Sequence, residues 1–280
     1  MSTQRTETIS VPSIGAKPIL ETQSLTKRFK TLTAVDQLSI ALQPGEMFGL
    51  VGPNGAGKTT VIKMLTTILK PNSGNAFVAG YDIIKHSAQV RRVIGYVPQL
   101  LSADGSLTAY ENLLIFAKLY HIPRDERESR IRDSLAFMGL AGVADKMVHD
   151  YSGGMIRRLE IAESMLHRPK VLFLDEPTVG LDPIARKAVW DHIRRLRADY
   201  GTTILLTTHY MEEADELCSR VAIMHLGKVA AIGTPAELKA TVSEGATLDD
   251  VFVHYSGYEV DSGGNYREVS RTRRTARRLA

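Results

Sequence analysis

The run Gly52-Pro53-Asn54-Gly55-Ala56-Gly57-Lys58-Thr59-Thr60 constrains this chain more than any other stretch. It follows an apolar segment, Met47-Phe48-Gly49-Leu50-Val51, with the composition of a buried strand. It leads into Val61-Ile62-Lys63-Met64-Leu65, which reads as the first turns of a helix. Strand, glycine-rich turn and helix in that order, with the spacing Gly-x-x-x-x-Gly-Lys-Thr, define a phosphate-binding loop. Gly52, Gly55 and Gly57 let the backbone bend until several N–H groups point at one anion. The helix start adds unpaired N–H groups and the positive end of its dipole. Lys58 is expected to reach the β- and γ-phosphates of a nucleoside triphosphate, and Thr59 to put its hydroxyl on Mg²⁺.

The apolar pattern on either side organises the rest. Residues 19–25 and 35–42 alternate apolar and polar positions and read as strands, joined by 26–31; with the strand at Met47 they suggest a small antiparallel layer. A turn at 70–74 stops the loop helix, and 75–81 and 93–97 read as further strands around a short helix at 87–92. From 108 to about 150 the periodicity is helical, over 110–120 and 124–138, with no strand signal. Ser152-Gly153-Gly154 opens another helix, 155–166. Val171-Leu172-Phe173-Leu174 is a continuous apolar run of the kind found in central parallel strands. A helix over 184–200, a strand over 203–207, a helix over 211–218, a hairpin around Leu226-Gly227 and two short helices, 235–240 and 248–255, complete the pattern. The expected fold class is α/β, with a mainly parallel sheet, an N-terminal antiparallel β layer and a helical subdomain inserted at about 100–168. One unit is expected over 18–256. Residues 1–17 and the basic stretch 257–280 read as disordered tails.

Three strand ends carry further chemistry. The apolar strand at 171–174 delivers Asp175 and Glu176 at its C-terminal end, where parallel sheets place ligands. Asp175 suits the Mg²⁺ shell, and Glu176 suits orienting or deprotonating an attacking water. His209 ends the strand at 203–208, where it could donate a hydrogen bond to a γ-phosphate and sense its presence. Gln99, after Tyr96-Val97-Pro98, could touch Mg²⁺ or water through its amide oxygen.

Taken together and in order, these motifs resemble the ATP-binding cassette family, the motor subunits of ABC transporters. The resemblance runs from about residue 18 to 256. Walker A is at 52–60, the Q-loop at Gln99, the signature at Tyr151-Ser152-Gly153-Gly154-Met155, Walker B at 171–176, the D-loop at Gly180-Leu181-Asp182 and the H-loop at His209. It implies that the chain binds and hydrolyses ATP with Mg²⁺, through catalytic Glu176, His209, Lys58 and Gln99 and metal-binding Thr59, Gln99 and Asp175. It further implies that Ser152, Gly153 and Gly154 bind the γ-phosphate held by a second ATP-binding subunit, with Asp182 at the same junction. Two copies would then close on two ATP molecules. The adenine-stacking aromatic falls on Phe29. The signature departs from the family's usual Leu and Gln at Tyr151 and Met155, and Met155 resembles the drug- and antibiotic-efflux type, including daunorubicin-resistance cassettes. Residues 247–255 resemble the end of those cassettes, and no regulatory barrel of the sugar-importer kind follows His209.

Composition fixes the setting. No apolar run reaches 18 residues, so no transmembrane helix is predicted. The N-terminus lacks the apolar core of a secretory signal, and the lone Cys218 excludes an internal disulfide. An exporter of this family therefore needs a separate membrane permease subunit, with this chain peripheral on the cytoplasmic face of the membrane. The net charge is +4, but six arginines against Glu268 put +5 in residues 267–280, leaving the remainder at −1. A near-neutral body offers no specific nucleic-acid face. The tail reads first as a solvated terminus, and its charge also suits anionic lipid. The competing class is a soluble cassette ATPase of translation or DNA repair. The single Walker A and the lack of a long coiled coil or zinc-binding cysteines count against it.

Overall fold

The computed structural model describes residues 17–256. In chain order these form β1 (Leu20–Phe29), β2 (Leu32–Leu38), β3 (Ala41–Leu42) and β4 (Met47–Val51), then α1 (Lys58–Leu65). Next come β5 (Ser73–Val78), β6 (Tyr81–Asp82), α2 (Ser87–Val93) and β7 (Ile94–Val97). The helices α3 (Ala109–Leu119), α4 (Arg124–Phe137) and α5 (Gly153–Met165) separate β7 from β8 (Val171–Asp175). The chain continues with α6 (Pro183–Tyr200), β9 (Thr203–Thr208), α7 (Met211–Leu217), β10 (Arg220–His225), β11 (Lys228–Gly233), α8 (Pro235–Ala240) and α9 (Leu248–Ser256). Except for Lys17, the tails expected at 1–17 and 257–280 lie outside the described residues.

The larger sheet has the order β11-β10-β4-β9-β8-β7. Neighbours from β10 to β7 are parallel, and β11 returns antiparallel on β10. The smaller sheet, β2-β1-β5-β6 with β3 on β1, is antiparallel throughout. The sequence reading put the Met47 strand in that antiparallel layer, and the structure corrects it. All five β4 residues are buried, and β9 and β10 flank it in parallel register. A strand of continuous apolar residues needs cover on both faces, which only a central position provides.

Strand periodicity divides the interior in two. Met47 and Val51 of β4, Leu172 and Leu174 of β8, and Ile204 and Leu206 of β9 join one cluster with the buried faces of α3, α5 and α6. The alternate residues Phe48, Leu50, Val171, Phe173 and Leu205 join a second cluster with α1 and the antiparallel sheet. Successive strand side chains point to opposite faces, so one sheet serves both cores.

Three local differences from the sequence reading have simple causes. Residues 26–31, read as a connection, belong mostly to strands: β1 runs on to Phe29, paired with Leu32 across the turn. Thr26 is buried there and accepts the Gln37 N–H at 3.0 Å, while Arg28 is exposed and half-buried Lys27 donates to the Lys70 carbonyl at 2.7 Å. The strand read at 35–42 is two pieces, β2 and β3, which pair with different stretches of β1. The strand read at 75–81 breaks at Ala79 and Gly80, both with positive φ, between β5 and β6.

Candidate functional site

The glycine loop leaves β4 between two neighbours that already fix its path. Gly52 N–H donates to the Thr208 carbonyl of β9 at 3.3 Å. A Cβ on Gly52 would collide with the Met224 carbonyl of β10. Gly57, at φ +104°, caps α1, and a Cβ there would collide with the Ala34 carbonyl of β2. Only glycine meets both demands, backbone contact and left-handed φ. The N–H groups of the first α1 turn have no intrahelical acceptors. Lys58, buried, donates to the Gly52 and Pro53 carbonyls at 2.7 and 3.0 Å and lies 3.3 Å from Glu176 Oε1. Burial lowers the Lys58 pKa, and Glu176 and then Asp175 oppose that by favouring the ammonium.

Asp175 is the last residue of β8 and lies opposite Thr207 in the β8–β9 register. Its Oδ1 accepts from Thr207 Oγ1 at 2.6 Å and from Thr59 Oγ1 at 3.1 Å. Its Oδ2 is buried without a hydrogen-bond partner. Burial raises the Asp175 pKa, and the Thr207 and Thr59 hydroxyls hold it back. One free carboxylate oxygen beside one hydroxyl is the partial shell that Mg²⁺ takes from protein, phosphate oxygens and water supplying the rest. The residues present therefore fit that ion. Among the described residues no cluster of three or more His, Cys, Asp and Glu offers a competing all-protein cage.

Glu176 is the point of convergence. Its backbone takes a left-handed φ of +49°, a strain of about 1–2 kcal/mol for a side-chain-bearing residue. Its N–H is shared between the Thr207 carbonyl at 3.1 Å and the Thr207 hydroxyl at 3.0 Å. The turn aims the carboxylate at three side chains. Lys58 approaches Oε1, and the Gln99 amide Nε2 donates to Oε2 at 2.9 Å. His209 Nδ1 stands 3.3 Å from Oε2 in ion-pair range but without hydrogen-bond geometry. The sequence reading assigned Gln99 through its amide oxygen; in this structure its amide nitrogen makes the contact.

Lys58, Thr59, Gln99 and Glu176 border a cleft of about 650 Å³, whose lining does not include Asp175 or His209. Phe29, Asn54, Gly55, Gly57, Lys58, Thr59, Thr60, Gln99 and Glu176 line it, with Leu226 and Gly227 of the β10–β11 turn opposite. Pro53 and Ala56 belong to the same loop: Ala56 is buried, and its carbonyl accepts the Gly227 N–H at 3.1 Å. Phe29 is 45% exposed, with the Lys27 ammonium 5.2 Å from its ring centroid.

Ser152, Gly153, Gly154 and Asp182 are not among the residues lining this cleft. Ser152 is the N-cap of α5, accepting from Met155 N–H at 3.3 Å, and both Ser152 and Gly153 are exposed. Gly154 faces Ala185 of α6 so closely that a Cβ would crowd it. Asp182 caps α6, its Oδ1 accepting from Ile184 and Ala185 N–H at 3.0 and 2.9 Å. Tyr151 is buried, with its hydroxyl donating to the Val143 carbonyl at 2.6 Å. The departure from leucine therefore serves packing among the inserted helices.

Sequence reasoning missed several residues that hold this site. Thr207 touches both acids; the threonine pair 207–208 ending an apolar strand before His209 was the available signal. Glu213 of α7 is fully buried, and its Oε1 accepts from Thr178 Oγ1 at 2.7 Å and Trp190 Nε1 at 2.9 Å. That contact joins the segment after Glu176 to α6 and to the helix after His209. Arg157 of α5, also buried, reaches the Pro98 and Gln99 carbonyls.

The cleft, the loop and the paired acids define an ATP-binding cassette, and the chain belongs to the ABC transporter family, whose match covers residues 35–179. It is an ATP-binding ATPase subunit of that family. It is 44% identical over 227 residues to the Nod factor export ATP-binding protein I of Ralstonia nicotianae, spanning 81% of this chain and 70% of that protein. It is 44% identical over 223 residues to the daunorubicin/doxorubicin resistance ATP-binding protein DrrA of Streptomyces peucetius, spanning 80% and 67%. A solved ATP-binding subunit of an ABC transporter superposes with a TM-score of 0.75 at 30% identity, over 85% of this chain and 99% of that one. ATP-binding subunits of this family work with membrane permease subunits and dimerise.

Proposed function

We propose that this chain powers export of a drug, antibiotic or lipid-like substrate through a separate membrane permease subunit. The observation that carries its catalytic half is the convergence of Lys58, Gln99 and His209 on Glu176, beside the Thr59–Asp175 contact. Thr59 and Asp175 would hold Mg²⁺, which neutralises charge on the β- and γ-phosphates. Lys58, anchored on the loop carbonyls, binds the same phosphates. Glu176 orients the attacking water and accepts its proton as the water oxygen bonds to the γ-phosphorus and the bond from that phosphorus to the β,γ-bridging oxygen breaks, giving ADP and inorganic phosphate. Gln99 donates to that carboxylate and holds it in line, and His209 donates to the γ-phosphate.

Ser152, Gly153 and Gly154 complete the site of a second copy. The exposure of Ser152 and Gly153 at the start of a 13-residue helix supports that reading, because unpaired N–H groups there suit an anion. Asp182 belongs to the same junction, and Phe29 stacks on the base. The ATPase unit spans 18–256, with about 100–168 as its inserted subdomain. Leu100, 81% exposed, with Leu101, Ile115 and Leu119 offers an apolar surface to the membrane subunit. Among the described residues no helix is long and apolar enough to cross a membrane, which suits a peripheral position on the cytoplasmic face. The export direction rests on the likeness to the Nod factor and daunorubicin proteins.

Substituting Glu176→Gln tests the chemistry. Loss of the general base lowers turnover about 10²- to 10⁴-fold. MgATP binding persists, and the variant sediments as a dimer with MgATP. Turnover within about twofold of wild type removes Glu176 as the base. ATP-dependent uptake of daunorubicin into inside-out vesicles carrying this chain and its permease tests the cargo class, and no uptake above a Lys58→Ala control refutes drug export.

A further inference from the structure

One buried ion pair lies outside the cleft yet touches the segment that carries Gln99. Arg157 sits about one turn into α5 and is 1% exposed. Its Nη1 donates to the Pro98 carbonyl at 2.7 Å and to Glu160 Oε2 at 2.9 Å. Its Nη2 donates to the Gln99 carbonyl at 2.8 Å. Glu160, also buried, uses its other oxygen, Oε1, to accept from the Ser102 N–H and from Ser102 Oγ at 3.2 Å. The pair thus grips the loop after β7 at both ends, residues 98–99 and residue 102. Between the grips, Leu100 and Leu101 turn outward into solvent. Beyond the near grip, the Gln99 side chain reaches Glu176.

We propose that Arg157, braced by Glu160, is a positioning residue for ATP hydrolysis: it fixes the Gln99 backbone to the helix that starts at Ser152, so the contact between Gln99 and Glu176 follows the placement of that helix. The chemistry favours arginine specifically. A planar guanidinium donates to two carbonyls and a carboxylate at once, whereas an ammonium is a point charge without the fork. A buried carboxylate requires the cation, and the cation in turn requires acceptors, so the loop carbonyls and α5 are held as one body. A shift of α5 is therefore carried to the Gln99 amide without passing through the nucleotide. The inserted helices and the hydrolytic carboxylate are joined through two backbone carbonyls.

This inference rests on the roles proposed above for Gln99 and Glu176, and the test separates the two. The kcat and KM for ATP are measured on the full chain for wild type, Arg157→Lys, Gln99→Ala and the double variant. Arg157→Lys keeps the charge beside Glu160 and loses the fork. It is expected to lower kcat about 10- to 100-fold, as a displaced catalytic contact does, with KM little changed. In the Gln99→Ala background the same substitution is expected to change kcat by less than about twofold, since the group it positions is gone. An equal loss of kcat in both backgrounds, or no loss in either, overturns the proposal. A loss confined to KM or to thermal stability overturns it as well, because a merely structural pair would act there. If Gln99→Ala alone leaves turnover intact, the reading of Gln99 fails instead. Glu160→Gln keeps the shape of the pair and removes its charge. It carries the same comparison between backgrounds should Arg157→Lys not fold, and equal losses there overturn the proposal too.

Discussion

Thr207→Val isolates the hydroxyl that ties the two acids together. Valine matches threonine in shape, so the strand and its packing remain, and the perturbation is the loss of Oγ1. That oxygen donates to Asp175 at 2.6 Å and accepts from the Glu176 N–H. The Glu176 N–H keeps the Thr207 carbonyl at 3.1 Å, so it is not orphaned. Asp175, 1% exposed, keeps only Thr59 as a hydroxyl donor. A hydrogen bond to a charged group contributes about 1.5–3 kcal/mol. The added buried methyl returns about 0.8 kcal/mol. The net loss is about 1–2 kcal/mol, a fall in melting temperature of roughly 2–8 °C for a chain of this size. The pH dependence has a definite sign. Burial raises the Asp175 pKa and the Thr207 bond opposes that rise. A folded-state pKa above the unfolded value means that charged Asp175 weighs against folding above the folded pKa, and that this is relieved as pH falls through it. Removing Thr207 raises the pKa further. The deficit of the variant is therefore full above its own Asp175 pKa and closes as pH falls through the wild-type value. Thermal unfolding across a pH series reads this directly. A deficit that is the same at every pH, or no deficit at neutral pH, refutes the reasoning.

Two further substitutions probe other parts of the site. Lys58→Ala removes the ammonium held by the Gly52 and Pro53 carbonyls, and calorimetry should show ATP affinity lower by about 10- to 100-fold, the worth of a charged hydrogen bond; unchanged affinity contradicts the phosphate-loop assignment. Trp190→Phe takes one of two donors from fully buried Glu213 and should lower stability by about 1–3 kcal/mol in urea unfolding, whereas an unshifted midpoint shows that the Nε1 contact contributes nothing.

What was legible in the sequence was local. The glycine loop announces itself because strand, turn, lysine and helix are contiguous. Asp175 and Glu176 stand out because a buried strand ends on them. The inserted helices show because their period differs from that of the flanking strands. What was not legible depends on neighbours far away in the chain. The β4 strand looks like a partner for the strands just before it, yet its hydrogen-bonded neighbours come from residues 203–208 and 220–225. Thr207 earns its place only once β8 and β9 are set side by side in register. Arg157 reads as one of two adjacent basic residues on an amphipathic helix, and nothing local announces that it turns inward to a loop 58 residues earlier. Asp182 was read for a partner subunit, and in this structure its Oδ1 caps α6.

The contacts around Gly52 and Gly57 restrict inheritance as well as geometry. What crowds Gly52 is the main-chain oxygen of residue 224, and what crowds Gly57 most is that of residue 34. Every amino acid brings the same oxygen to those places. No exchange at 34 or 224 can therefore make room for a side chain at 57 or 52, and a lesion at either glycine has no second-site suppressor at the residue that obstructs it. Positions 34 and 224 are correspondingly free, as far as this contact goes, to drift under other pressures. The two sides of each contact thus differ in mutability: one is locked, while the atom that locks it lies beyond the reach of mutation.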